Sequence, residues 1–144
     1  MSNATDFLEN KIADWLFRGQ AYAPPATMYI AAFTVAPTDA AGGTEVTGGG
    51  YARQAVTSSL ANWSGTQGAG TTTVSSGTGG QISNNVLIDF GTASAGYGTV
   101  VSFAAFDAVT AGNMILFSPL GTSKTVSTGD RLTIPAGSQT WTIA

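Results

Sequence analysis

Formal charge at neutral pH is confined to thirteen side chains. They are the carboxylates Asp6, Glu9, Asp14, Asp39, Glu45, Asp89, Asp107 and Asp130, and the bases Lys11, Arg18, Arg53, Lys124 and Arg131. Histidine and cysteine are absent. That excludes His/Cys metal sites, imidazole general acid–base chemistry, Ser-His-Asp triads and disulfides. The chemistry left open is a carboxylate pair of the glycosidase type, which needs two acids across a cleft. Asp6, Glu9 and Asp14 fall on the polar side of a helical stripe, and most of the others sit at turns, where Asp has a local backbone role. Asp89 differs, lying inside the apolar run Val86-Leu-Ile-Asp-Phe90. Because a buried unpaired carboxylate is costly, it is expected to face the less buried side or to pair with a base such as Arg53. No catalytic residue, metal or cofactor is expected, and the chain reads as a non-enzyme.

Two further patterns invite chemistry and are read as structure. Gly42-Gly-Thr-Glu-Val-Thr-Gly-Gly-Gly50 resembles a phosphate loop only in its glycines; it lacks the lysine and the following helix, and leads into a strand. A hinge between strands is the expectation. Tyr22, Tyr29, Tyr51, Trp63, Tyr97 and Trp141 could stack against a sugar, but they are dispersed, and core filling is the simpler account.

The elements that must position these groups are mostly strands. Residues 97–120 form the centre: Thr99 to Phe106 and Met114 to Leu120 read as two strands of a hairpin, joined through Asp107-Ala-Val-Thr-Ala-Gly-Asn113. Strict alternation puts Val101, Phe103 and Ala105 on one face and Val100, Ser102, Ala104 and Phe106 on the other. Both faces are largely apolar, so the hairpin belongs in the middle of a sheet. Further strands are expected at 27–34, 51–57, 86–90, 121–127, 131–134 and 139–143. Residues 64–82 read as a Gly/Ser/Thr-rich loop, either disordered or a contact surface, with Trp63 anchoring its base.

Residues 5–18 carry the one helical pattern, capped by Thr5 or, in a capping box with Glu9, by Asp6. Leu8, Ile12, Trp15 and Leu16 make a single apolar stripe, and Arg18-Gly19 supplies the stop. The stripe packs on the β domain or docks on a neighbouring subunit; Leu8, Ile12, Trp15, Leu16 and Trp63 are the candidate interaction residues. The expected class is therefore mainly β: an antiparallel sandwich or barrel of about six to eight strands with one N-terminal amphipathic helix. Residues 1–20 hold the helix and 21–144 a single β domain.

Only 9% of the 144 residues are charged, and 19 are glycine; ordinary domains carry about 25% charge. A surface of Thr, Ser, Gly, Asn and Ala has few charges to keep copies apart. Self-association is the expectation. The five bases are scattered and the net charge is −3, so nucleic acid is not an expected partner. Residues 1–20 carry three acids and no basic region ahead of an apolar core, unlike a signal peptide. No apolar run approaches the ~18 residues that span a membrane.

Read end to end, the sequence resembles a family of small bacteriophage virion proteins, many loosely labelled tail fibre proteins. The resemblance rests on Phe7-Leu-Glu-Asn-Lys-Ile-Ala-Asp14, Ala21-Tyr-Ala-Pro-Pro-Ala-Thr27 and Thr44-Glu-Val-Thr-Gly-Gly-Gly-Tyr-Ala-Arg53. It continues through Gly98-Thr-Val-Val-Ser-Phe-Ala-Ala-Phe-Asp107 and Thr122-Ser-Lys-Thr-Val-Ser-Thr-Gly-Asp130. It implies a virion structural role without catalytic residues. Two placements follow. The favoured one is a capsid decoration or cement protein, which the resemblance implies is a homotrimer binding the major capsid protein. The alternative is a tail-fibre or baseplate adhesin whose 64–82 loop contacts a host-surface glycan.

Overall fold

The computed structural model describes residues 3–143; Met1, Ser2 and Ala144 lie outside the described residues. Ten strands and one helix are present among them: β1 (Asn3–Ala4), α1 (Asp6–Phe17), β2 (Thr27–Val35), β3 (Thr44–Glu45), β4 (Gln54–Thr57), β5 (Gln81–Ser83), β6 (Ile88–Thr92), β7 (Gly98–Phe106), β8 (Met114–Val126), β9 (Arg131–Ile134) and β10 (Thr140–Thr142). The mainly β, antiparallel class with one N-terminal helix is what forms. Among the described residues the sheets stay open and form no closed barrel.

One sheet has the order β1-β8-β7-β2-β3, with β4 also paired to β2. Two antiparallel ribbons, β5 with β10 and β6 with β9, contribute to the same apolar core. Alternation supplies the inward side chains: Ile30 and Ala32 from β2, Phe103 and Ala105 from β7, Ile88 and Phe90 from β6, Leu132 and Ile134 from β9, and Trp141 from β10. The opposite face of the main sheet holds a second, smaller cluster of Ala31, Phe33, Ala104, Phe106, Met114 and Phe117. The central hairpin is thus apolar on both sides.

Two details depart from the sequence reading. The segments at 114–120 and 121–127 are one strand: β8 runs through Pro119 and Gly121 for 13 residues and pairs with the whole of β7. Alternation along β7 also breaks. The register shifts between Val100 and Ser102, where two steps along β7 face five along β8, from Lys124 to Pro119, and Val100 lies in the same core as Phe103 and Ala105, fully buried. A second shift, between Ala105 and Phe106, brings Ile115 and Leu116 into the same core.

Thr5 is the helix cap. Its hydroxyl accepts from Leu8 N–H at 3.4 Å and donates to the Met114 carbonyl at 2.6 Å, tying the helix start to β8. Gly19, at φ +67°, ends the helix in the left-handed region, with Gln20 N–H donating to the Asp14 carbonyl. The glycine hinge at 48–50 is a close approach of backbones rather than a phosphate cradle. A Cβ on Gly49 would stand 2.3 Å from the Ala95 carbonyl oxygen, and Ser94 N–H donates to the Gly49 carbonyl at 2.9 Å.

Candidate functional site

Most of the charged groups are committed to structure in pairs and turns. Arg53 Nε and Nη2 donate to the two carboxylate oxygens of Glu45 at 2.9 and 2.8 Å, while its Nη1 donates to the carbonyls of Ala108 and Ala111. The guanidinium lies 3.5 Å from the Phe106 ring centroid. Tyr51 completes the cluster, accepting from Ala32 N–H and donating to Glu45, each at 2.9 Å. Burial raises the Tyr51 phenol well above its ordinary value, so it stays a donor. Asp107 closes the β7–β8 hairpin through Asn113, and Asp130 accepts from Ser127 N–H in the turn before β9. Asp14 pairs with Arg18 one helical turn on, at 2.8 Å.

Asp89 does not meet Arg53. Its partner is Arg131, across the β6–β9 ribbon, with Nε at 3.0 and 3.1 Å from the two carboxylate oxygens and Nη2 also in contact. The register Asp89↔Thr133, shifting to Thr92↔Arg131, brings these residues together; Arg53 is held by Glu45 instead. The Arg131 guanidinium, aided by Gly91 N–H, holds the Asp89 carboxyl below the usual range. Its contribution to stability is therefore present above the unfolded carboxylate pKa of about 3.9 and is lost as pH falls through the lower folded value. Asp89→Asn should flatten the decline of melting temperature below about pH 4 relative to the parent protein. Identical acid limbs for the two proteins would show that the pair carries no pH-linked stability.

No group of three acidic, His or Cys side chains able to hold a metal occurs among the described residues. Two apolar features stand out instead. The first is the end of α1. Leu8 is buried in the main core, and Phe7 and Ile12 pack against it. Trp15 and Leu16 are each 58% exposed and Phe17 is 86% exposed. The stripe predicted by periodicity is thus split: its first half is seated beside β8, and its second half is open to solvent.

The second feature is a cleft of about 460 Å³. Its walls include Met28, Trp63, Ile82, Leu116 and Trp141, and Ser58, Leu60 and Ser75 are exposed at its margin. The lining contains no charged residue. Trp63 anchors the 64–82 loop, with its backbone bridged to Asn84; the indole then forms part of the cleft. The Trp63 and Trp141 Nε1 groups are buried without a protein acceptor, a cost the fold carries in this wall. The loop is built rather than loose: Thr66 donates to Ser76, Gln67 to Val74, and Gly70 N–H to Asn85.

Of the five residues singled out in sequence, Leu8 is therefore core, Ile12 is half-buried, Trp15 and Leu16 are exposed, and Trp63 lines the cleft. Phe17 was outside the stripe and is the most exposed large apolar side chain of the structure's described part; its place beside the Arg18-Gly19 stop was the available signal. Trp141, read from the sequence as a strand residue and core aromatic, lines the same cleft as Trp63, 78 positions away along the chain.

No curated protein gives a significant match to the sequence. A family model described as podophage GP4 fiber I protein gp80 matches residues 3–142. That span takes in the helix, every strand of the main sheet and both ribbons. The chain belongs to this gp80 family of podophage fibre proteins, and is a structural component of a phage virion.

Proposed function

We propose that the protein is a non-enzymatic tail-fibre component of the virion. One observation carries the reading: the fibre-family match runs over residues 3–142 and so takes in the helix and all the strands described. The commitment of six of the eight acids to ion pairs and turns supports it. In this role the chain binds a tail or baseplate protein, and the hydrogen-bonded 64–82 loop presents hydroxyls and amides to a host-surface glycan. The observation that favours a decoration protein on the capsid shell instead is architectural. The fold is one β unit with a single helix, without the repeats that build a shaft.

Cryo-electron microscopy of intact particles separates the two. Density for this chain is expected at the tail, and shortening the loop between residues 66 and 79 should then reduce adsorption to host cells. Density at regular positions over the capsid would overturn the fibre reading and establish decoration. Tail density with unchanged adsorption would remove the glycan contact.

A further inference from the structure

We propose that the solvent-exposed end of α1 in one copy inserts into the Trp63–Trp141 cleft of a second copy, so that the protein assembles head-to-tail. The two features are complementary in kind. The tip presents Trp15, Leu16 and Phe17 to solvent, and the cleft is lined by carbon-rich walls without a charge. The charges nearest the tip, Asp14 and Arg18, neutralise each other at 2.8 Å. Nothing charged therefore has to be stripped of water without a partner.

Sizes agree as well. The tip offers on the order of 400 Å² of apolar surface, within the range of patch that on a monomer marks an interaction site. A 460 Å³ cleft has the size of a pocket that takes an organic ligand, of roughly 300–1,000 Å³, and admits one or two such side chains. A sugar is a poorer occupant, because the walls supply few polar groups to meet its hydroxyls. The same copy does not supply its own occupant: its Trp15 is exposed while its cleft is open.

Because tip and cleft are different surfaces, the contact is heterologous, and it closes into a ring if the rotation between copies permits. Low surface charge favours association, and the rotation between copies sets how many close the ring. The interface is a property of the isolated protein and does not depend on its place in the particle.

Complementation tests this directly. The parent protein is expected to sediment as a closed oligomer at ~10–100 μM. A tip variant, Trp15→Gln with Phe17→Gln, and a cleft variant, Leu60→Asp, should each sediment as monomer. Both sets of substitutions lie at exposed positions, and circular dichroism melts check that folding is kept. Mixing the two variants should restore one dimer per pair, since each retains the half that the other lost. A parent protein that is monomeric throughout would overturn the proposal. So would a Leu60→Asp protein that remains oligomeric, which would place the tip elsewhere, or a mixture that stays monomeric.

Discussion

Phe103→Ala is expected to lower the stability of the fold by about 3–5 kcal/mol, the usual range for a large aromatic deleted from a closed core. Phe103 is buried in the centre of β7 and stacks on Phe90 of β6 at 6.0 Å between ring centroids. Phe90 in turn stacks on Tyr51 at 5.8 Å, which meets Tyr97 edge-on. Removing one ring opens a cavity between the main sheet and the β6–β9 ribbon. The flanking strands cannot easily collapse into it, because each is tied by its own ladder. Against a typical domain stability of about 5–15 kcal/mol, the loss is a large fraction. Urea unfolding should show a lower midpoint with an unchanged slope. A loss below about 1 kcal/mol would mean that the site relaxes and that the aromatic stack is not continuous.

Arg53→Met should cost a comparable amount, about 3–5 kcal/mol, for a different reason. The Arg53 side chain is 8% exposed and its Glu45 partner 24%. The substitution leaves the Glu45 carboxylate with Tyr51 as its remaining side-chain donor, and it deprives the Ala108 and Ala111 carbonyls of theirs. Ala111 holds a positive φ of 51°, an unfavourable backbone for a residue with a Cβ. The same guanidinium that neutralises Glu45 thus also fastens the β7–β8 hairpin tip. Amide hydrogen exchange at residues 107–113 should accelerate more than in the β6–β9 ribbon. Replacing Glu45 by Gln as well should recover part of the loss, giving a coupling energy in a double-mutant cycle. Additive losses would show that the two side chains do not act as a pair.

The contrast between these residues shows where sequence reasoning reaches. Arg53 and Asp89 were candidates for the same ion pair, since each is a lone charge beside an apolar strand. Their actual partners, Glu45 and Arg131, depend on which strands lie side by side and in what register. Neither is encoded in the spacing of one segment. The β-bulge at Val100–Ser102 has the same character. The sequence Thr-Val-Val-Ser-Phe has two phases of alternation within it, and only pairing with β8 selects where the phase changes.

The sequence by itself determined the antiparallel β class, the helix with a cap at Thr5 or Asp6 and its Gly19 stop, the turn roles of Asp107 and Asp130, and the lack of His- and Cys-based chemistry. These rest on local physics: capping, periodicity, turn geometry and composition act within a few residues. Tertiary structure decided that Leu8 is core while Trp15 and Leu16 are exposed on the same stripe. It also brought Trp63 and Trp141 together around one cleft. Periodicity marks which side of a helix is apolar, but how much of that side is covered depends on where the neighbouring sheet ends. A cleft, likewise, exists only where segments distant along the chain pack without filling the space between them.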